Sequence, residues 1–360
     1  PDTEEFANDE VPLAQTAIAD YEKPNPLNAQ NSLVLLVLAA AVFGLLYWIS
    51  GLVKKEPPKH FIPLALLTAV ALRLLIASIS PGYTSDMACF TGWAKALADN
   101  GCSVFYTSGM FADYTPGYLY VLLGVGKLAA LLGIDLYSAF GSVFVRLPAI
   151  LIDAGLAYVL CRATKDSLGR RGAFAVLLLA AFNPVAVLDS AAWGQVDSAL
   201  TILLVLTFIE LNKERRLSAA ALYGLAVLVK PQALIVGPVF ALAYILPLFD
   251  KKKEGRLRAL ADIPLGAIIA LAVIFVGSLP FKGTQDTFWL FERMFETATS
   301  YPYGSVNAFN LIALLGGNWV PDTTVFLGIS IKHWAAGQTA FSPTRQTWPA
   351  TQKAELARQS

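Results

Sequence analysis

FIPLALLTAVALRLLIASI, residues 61–79, decides the fold class of this chain. It is close to the ~20 residues that a helix needs to cross the hydrocarbon layer of a bilayer, and Arg73 is its only charged residue. Of the 360 residues in the chain, 56% are hydrophobic and only 15% are charged, which leaves too few charges for a soluble domain. Similar apolar stretches lie on both sides of it, at 32–53, 116–134, 143–161, 173–188, 198–211, 217–249 and 263–280. The sequence therefore predicts an all-α, polytopic transmembrane helical bundle.

Basic loops between the apolar stretches set the predicted orientation. Lys and Arg cluster at 54–59, 162–171, 213–216 and 251–258. Loops of this kind are cytoplasmic, so the chain must cross the membrane an even number of times between neighbouring clusters. By this rule 116–134 does not span and is predicted to be an interfacial or re-entrant helix on the outer side. The segment 217–249 is too long for one span and contains Lys230-Pro231. The same rule predicts that it forms two short helices around a break that faces protein or a wet cavity.

The domain organisation follows from these segments. Residues 1–31 are polar and acidic and are predicted to be a solvated, flexible N-terminal segment. Residues 32–53 form an additional transmembrane helix before a membrane module at 60–315. Within that module, 80–115 and the apolar helix after it are predicted to lie on the outer side. Residues 316–360 end in a polar tail that cannot span, and we expect the C-terminal part to be incomplete.

Charge and ligand supply exclude some classes of protein. The net charge is +1, so no overall field attracts nucleic acid. The two histidines, His60 and His333, are far apart in the chain, and we expect no metal and no other cofactor. Cys89 and Cys102 share the outer loop; they could form a disulfide, but helix geometry favours two free thiols.

Asp86 is the first candidate for chemistry in the outer loop. The helical spacing after it predicts an apolar face that can lie on the membrane, made of Met87, Phe90, Trp93 and Leu97. Thr84 or Ser85 can cap the start of this helix, which puts Asp86 in its first turn. There the carboxylate either complements the helix dipole or acts as a general base on a substrate hydroxyl.

Two further outer turns carry polar residues. Asp113-Tyr114-Thr115-Pro116 is predicted to start the interfacial helix, with Asp113 either as its cap or as a second catalytic or substrate-binding carboxylate. Trp193, Gln195 and Asp197 precede a spanning helix. Helix capping and an interfacial Trp explain them without function, whereas a sugar site would stack on the ring and bond hydroxyl groups to the polar side chains.

Cations inside or beside the apolar stretches need an anion. Lys230 lies well within such a stretch, and it binds either a lipid phosphate or an internal carboxylate such as Asp189 or Asp197. Arg293 either clamps a phosphate or pairs with Glu292 or Glu296 on a surface helix. Arg73 and Arg146 are interpreted as structural partners of Asp86, Asp113 or Asp153.

The order of these motifs resembles the GT-C fold glycosyltransferases, which are integral membrane enzymes. Within them the chain is most similar to bacterial relatives of the GPI-anchor mannosyltransferases and to the glucosyltransferases that extend the asparagine-linked precursor. The resemblance covers roughly 60–315. It rests on SDMACFTGWA (85–94), FADYTPGYLY (111–120), VRLPAILIDA (145–154), WGQVDSAL (193–200), LAVLVKPQAL (225–234) and FERMFETA (291–298).

The resemblance implies an inverting hexosyltransferase of the cell membrane, with mannose preferred to glucose. Its donor would be a polyprenyl-phosphate sugar, its acceptor a glycan, lipid or protein, and its active site extracytoplasmic. Residues 80–142 would be the first extracytoplasmic loop, with two interfacial helices. Asp86 would be the base, and Lys230 and Arg293 would hold the donor phosphate. The implied substrate-binding residues are Asp113, Tyr114, Trp193, Gln195, Asp197, Gln232 and Asn307. The alternative is a transporter or lipid flippase, with Lys230 and Asp197 lining the path.

Overall fold

The computed structural model describes residues 57–58, 60–249 and 253–299, with scattered residues at 40–44 and 303–330. Helices build the described chain, and one antiparallel pair of two-residue strands, β1 (Val325–Phe326) and β2 (Ile329–Ser330), accompanies them. The predicted all-α class is confirmed. The segment predicted at 1–31, nearly all of 32–53 and most of 316–360 lie outside the described residues.

The helices occur where the apolar stretches predict them, with short elements at the breaks. A short π-helix (Leu188–Trp193) follows α5, and 3-10 turns lie at Pro231–Val236, Leu246–Phe249 and Leu279–Phe281. In chain order the α-helices are α1 (Phe61–Ile79), α2 (Thr84–Asn100), α3 (Pro116–Leu132), α4 (Ala139–Ala181), α5 (Pro184–Val187), α6 (Asp197–Asn212), α7 (Arg216–Val229), α8 (Gly237–Ile245), α9 (Lys253–Ser278) and α10 (Trp289–Thr299).

The long apolar helices show what surrounds the chain. Within the described residues, the stretches long and apolar enough to cross a membrane are Phe61–Ile79, Ala139–Ala181, Pro231–Phe249 and Gly255–Phe281. These helices leave large apolar side chains exposed, Leu67 and Leu271 among them. Such side chains are stable in contact with lipid rather than water. The chain is an integral membrane protein.

Backbone breaks at Gly169 and Lys230 interrupt the helices, and each has a local cause. Within α4, Gly169 has φ 66° and ψ 177°, a left-handed conformation that glycine adopts without a Cβ penalty, so α4 is two helices joined by a kink. At the end of α7, Lys230 is extended, with φ −147° and ψ 125°, and Pro231 cannot continue the helix. The predicted break at Lys230-Pro231 is confirmed.

The chain forms two compact units. The first unit comprises Pro1–Tyr83 and Ala149–Ser198, and the second comprises Thr84–Pro148 and Ala199–Ser360. The two units contain different helices. The first contains α1 and the later part of α4, and the second contains α2, α3, α7 and α9.

In the first unit, small residues let the helices approach closely. Ala65 and Ala69 of α1 pack with Ala157, Phe174 and Leu177 of α4 in one buried cluster. Where lipid is the solvent, such close packing supplies much of the association energy between helices.

A buried ion pair also holds the first unit together. Arg73 Nε donates to Asp153 Oδ2 at 3.0 Å, and both side chains are buried. Arg73 Nη1 donates to the Ala181 carbonyl at 2.6 Å, and Ser190 Oγ donates to the Asp153 carboxylate. Arg73 therefore neutralises Asp153, one of its three predicted partners. Breaking a buried pair of this kind is costly because one charge is left uncompensated.

In the second unit, α2 packs against α3. A Cβ on Gly126 of α3 would lie 2.1 Å from the Ala94 carbonyl oxygen, so glycine is needed for this approach. The predicted membrane-facing surface of α2 is wrong: its four apolar side chains are buried inside the protein, with Trp93 at 1% exposure. The helical spacing is right, but an apolar face suits a protein core as well as lipid, and the core takes it.

Candidate active site

Asp86 lies in the first turn of α2, as predicted, and is partly buried. Phe90 follows one helical turn later on the same face. Its ring meets the Tyr114 ring edge to face, with 5.5 Å between the centroids. The helix therefore brings the candidate base close to the turn that contains Asp113 and Tyr114.

The loop between α2 and α3 is fixed by buried aromatic side chains. Trp93 Nε1 donates to the Phe111 carbonyl at 2.8 Å, and the Tyr106 hydroxyl donates to the Tyr114 carbonyl at 2.7 Å. The Trp93 and Tyr114 rings are 5.4 Å apart. These bonds hold the backbone on both sides of Asp113, which is itself partly buried.

Asp113 is not the cap of α3, which corrects that structural prediction. The N-cap residue is Thr115, and its side chain makes no capping hydrogen bond. Pro116 occupies the first helical turn, where its missing N–H costs nothing. The alternative role for Asp113, as a functional carboxylate, stays a prediction.

Electrostatic effects show what surrounds the two carboxylates. Burial raises the pKa of the Cys89 thiol, and the negative charges of Asp113 and Asp86 raise it further. Both carboxylates therefore act on a single thiol. Cys89 and Cys102 are free, as the helix geometry predicted.

Lys230 lies at the C-terminal end of α7, and its side chain is only 8% exposed. Its backbone N–H donates to the Ala226 carbonyl at 2.9 Å, and its Nζ is 5.1 Å from the centre of the Tyr114 ring. An ammonium group over an aromatic face is a cation–π contact, which is stronger when desolvated. The break after α7 thus places the predicted phosphate-binding cation against the turn that holds Asp113.

Arg293 on α10 reaches the same aromatic group from another element. Its guanidinium carbon is 5.6 Å from the centre of the Tyr106 ring. Burial raises the pKa of the Tyr106 hydroxyl, while the charge of Arg293 lowers it and that of Asp113 raises it. Tyr106 therefore connects Arg293, Asp113 and, through its hydroxyl, Tyr114.

The second unit thus brings together five of the predicted site residues. Asp86, Asp113, Tyr114, Lys230 and Arg293 are joined through the rings of Phe90 and Tyr106. Gln232 is exposed in the 3-10 turn after Lys230, and Asn307 lies outside the described residues.

The other three predicted residues belong to the first unit. Gly194, with φ 95°, ends the π-helix that bears Trp193, and the backbone N–H groups of Gly194 and Gln195 both donate to the Asp189 carbonyl. The Trp193 ring lies 4.7 Å from that of Tyr83, and Asp197 is exposed in the first turn of α6. Single-turn π-helices are frequent at functional sites.

Sequence reasoning missed Tyr106 and the residues around Arg293. Tyr106 lies in FYTSGM (105–110), where nothing in the local pattern marks it. Gln285, Asp286 and Trp289 line one hollow with Glu292 and Arg293. These three side chains, an amide, a carboxylate and an indole, lie within five consecutive positions of a predicted outer segment. That grouping could have indicated a binding site. Within the part of the chain described here, no three His, Cys, Asp or Glu side chains are grouped as metal ligands.

The fold and this polar, aromatic-supported site define a multi-pass membrane protein with a candidate active site in its second unit. Residues 111–353, more than half of the chain, match the model of glycosyltransferase family 87. The chain belongs to this family and is a membrane glycosyltransferase; the family is GT-C-like, which confirms that part of the resemblance. No curated protein and no solved structure matches the chain.

Proposed function

We propose that this glycosyltransferase transfers a hexose, mannose in preference to glucose, from a polyprenyl-phosphate donor to an acceptor, with inversion. The observation that carries the proposal is the position of Lys230: a buried ammonium group on the Tyr114 ring, in the same cluster as Asp86 and Asp113. A cation and two carboxylates held together suit a reaction in which a phosphate leaves while a hydroxyl loses its proton.

Asp86 is the proposed general base. The acceptor oxygen attacks the anomeric carbon and its proton passes to the Asp86 carboxylate, while the bond from that carbon to the phosphate oxygen breaks. The electron pair of that bond remains on the polyprenyl phosphate. Attack opposite the leaving group inverts the anomeric configuration. Asp86 is partly buried beside the fixed loop, which supports a base held in one orientation.

Lys230 is the proposed partner of the departing phosphate. As the carbon–oxygen bond breaks, negative charge grows on the phosphate, and a cation in a site that excludes water stabilises that charge more than it stabilises the substrate. The extended backbone at Lys230 and the ring of Tyr114 orient the ammonium group before the reaction.

The other predicted residues keep proposed roles in substrate binding. Asp113 and Tyr114 are proposed to bond the donor sugar beside Lys230, with Gln232 close to the phosphate. Trp193, Gln195, Asp197 and Asn307 stay predictions as further substrate contacts. Arg293 was predicted to share the phosphate with Lys230, but its surroundings are more acidic than those of a phosphate site, because Asp286 and Glu292 line the same hollow.

The proposed setting is the cell membrane, with the active site on its extracytoplasmic face. Basic loops on the other side of the predicted topology support this orientation. The donor would then be a membrane lipid, held with its phosphate at the level of Lys230. The family match favours transfer over transport, so the transporter alternative is not proposed.

The direct test is turnover of a synthetic polyprenyl-phosphate mannose by the purified chain in lipid nanodiscs. Release of polyprenyl phosphate is followed in the presence of a membrane glycolipid extract, and the anomeric configuration of the product is determined by NMR. Asp86→Asn should lower the turnover number by about 100-fold or more, the usual contribution of a general base, with little change in donor binding. Lys230→Ala should weaken donor binding.

Glu214→Gln is the matched control, because Glu214 is an exposed side chain paired with Arg258 on the surface. Its turnover should equal that of the wild type. Normal turnover by Asp86→Asn would eliminate the proposed base. The absence of turnover with both mannosyl and glucosyl lipids, in a chain that is folded, would eliminate the proposed donor.

A further inference from the structure

A hollow of about 250 Å³ opens beside α10, within the second unit. Its lining is Gln285, Asp286, Trp289, Glu292 and Arg293. Trp289 is buried at 5% exposure, whereas Asp286 and Glu292 are exposed. Sites for drug-sized ligands occupy ~300–1,000 Å³, so this hollow suits one small ring rather than an extended chain.

Local hydrogen bonds orient the polar groups of the hollow. Gln285 Nε2 donates to the carbonyls of Phe281 and Lys282, at 3.4 and 3.2 Å, so the amide keeps its Oε1 as an acceptor. Asp286 accepts the backbone N–H of Phe288 at 2.7 Å through Oδ1, which leaves Oδ2 to accept another donor. The hollow is thus rich in hydrogen-bond acceptors.

The charges of the hollow disfavour a phosphate. Two carboxylates, Asp286 and Glu292, stand beside one guanidinium group, so an anion entering the hollow meets more negative charge than positive. A phosphate also has few protons to donate, whereas Gln285 and the carboxylates need donors. A neutral polyol offers many hydroxyl donors, and its oxygens accept from Arg293.

An aromatic connection joins the hollow to the proposed phosphate position. The Trp289 ring is 5.0 Å from the Tyr106 ring, and Arg293 lies over the same ring. The Tyr106 hydroxyl donates to the Tyr114 carbonyl, and the Tyr114 ring lies beneath Lys230. Only Tyr106 and Tyr114 therefore separate the hollow from Lys230, the residue proposed to hold the leaving phosphate.

We propose that this hollow binds one neutral hexose ring of the acceptor, so that the enzyme extends an existing glycan or glycolipid. The ring's hydroxyls donate to Gln285, Asp286 and Glu292 and accept from Arg293, and its C–H groups contact the small part of Trp289 that lines the hollow. That the bound sugar belongs to the acceptor rests on the proposed function. Binding of a neutral sugar in the hollow can be measured without it. Arg293 then positions the acceptor and leaves the donor phosphate to Lys230.

Binding is tested on the full chain in nanodiscs by saturation-transfer NMR with methyl α-mannopyranoside, and with methyl phosphate as the anionic probe. Glu292→Ala and Gln285→Ala should each reduce saturation of the glycoside about ten-fold, the effect of losing one hydrogen bond to a charged or fixed polar group. Glu214→Ala, on an exposed pair elsewhere in the unit, should keep it. Equal glycoside saturation in Glu292→Ala and wild type overturns the proposal. Variants that lose saturation of methyl phosphate but keep saturation of the glycoside overturn it as well.

A kinetic measurement separates this inference from the proposed function. With polyprenyl-phosphate mannose as donor and octyl α-mannopyranoside as acceptor, Glu292→Ala should raise the acceptor KM about ten-fold and leave the donor KM unchanged. A raised donor KM instead assigns the hollow to the donor and overturns the inference. A wild-type chain that binds the glycoside through Glu292 but releases no polyprenyl phosphate contradicts the proposed donor and supports the sugar site.

Discussion

Tyr114 shows how one residue can support a site as well as line it. The ring lies beneath Lys230 Nζ and contacts the rings of Phe90 and Trp93, and its carbonyl accepts a hydrogen bond from the Tyr106 hydroxyl. The sequence predicted only a contact with substrate. None of these four partners is related to Tyr114 by helix or strand spacing in the sequence. The supporting role therefore depends on tertiary packing, which local sequence rules do not describe.

Substitutions at Tyr114 separate the two roles. Tyr114→Leu removes the aromatic face, and because cation–π contacts contribute ~0.5–2 kcal/mol, the donor KM should rise roughly 2- to 30-fold. Tyr114→Phe keeps the face and should resemble the wild type. Steady-state kinetics with the lipid-linked donor measures both. A Phe variant as impaired as the Leu variant would show that the hydroxyl, rather than the ring, is what the enzyme uses.

At the scale of elements, glycines set how closely α3 meets its neighbours. A Cβ on Gly117 would lie 2.6 Å from the Leu228 carbonyl oxygen and from the Val229 nitrogen, directly before Lys230. Glycine in the first turn of α3 therefore lets the turn at Tyr114 and the end of α7 come together. The pattern of the sequence gives no sign of this requirement, because both segments are simply apolar helices.

Gly117→Ala should accordingly displace the end of α7. Overpacking of this kind costs about 1–3 kcal/mol, so we expect a lower melting temperature and a raised donor KM, with helical content retained by circular dichroism. Gly124→Ala is the matched control on the same helix, since a Cβ there meets nothing within 4 Å. Alanine is the better helix former, and this control should be neutral or slightly more stable. Equal donor KM values for the two variants would show that the close approach is not needed for Lys230.

At the scale of the whole molecule, the orientation of the candidate active site is a prediction from the basic loops. The family match runs from 111 to 353 and includes Asp113, Lys230 and Arg293. The basic clusters lie in other loops from these residues. By the positive-inside rule, we predict that the proposed catalytic groups work outside the cytoplasm.

Labelling of introduced cysteines tests this orientation. Thr107→Cys, on an exposed turn of the outer loop, should react in intact cells or spheroplasts with a maleimide that cannot cross the membrane. Ser167→Cys, exposed beside the basic residues 162–171, should react only after the membrane is opened. Signal is measured above that of the unsubstituted chain, which has three cysteines. The reverse pattern would place the candidate active site on the cytoplasmic face.

Hydrophobicity, proline geometry and helix spacing are local properties, so they were enough to predict the membrane fold, the break at Lys230-Pro231 and the position of Asp86 at a helix start. The packed structure was needed to show that the apolar face of α2 is core, that Thr115 rather than Asp113 caps α3, and that Tyr106 joins Arg293 to Tyr114. Burial against protein and burial in lipid demand the same residue types. The connections that bring positions 86, 114, 230 and 293 together through the rings of Phe90 and Tyr106 depend on how whole helices pack, which no local pattern encodes.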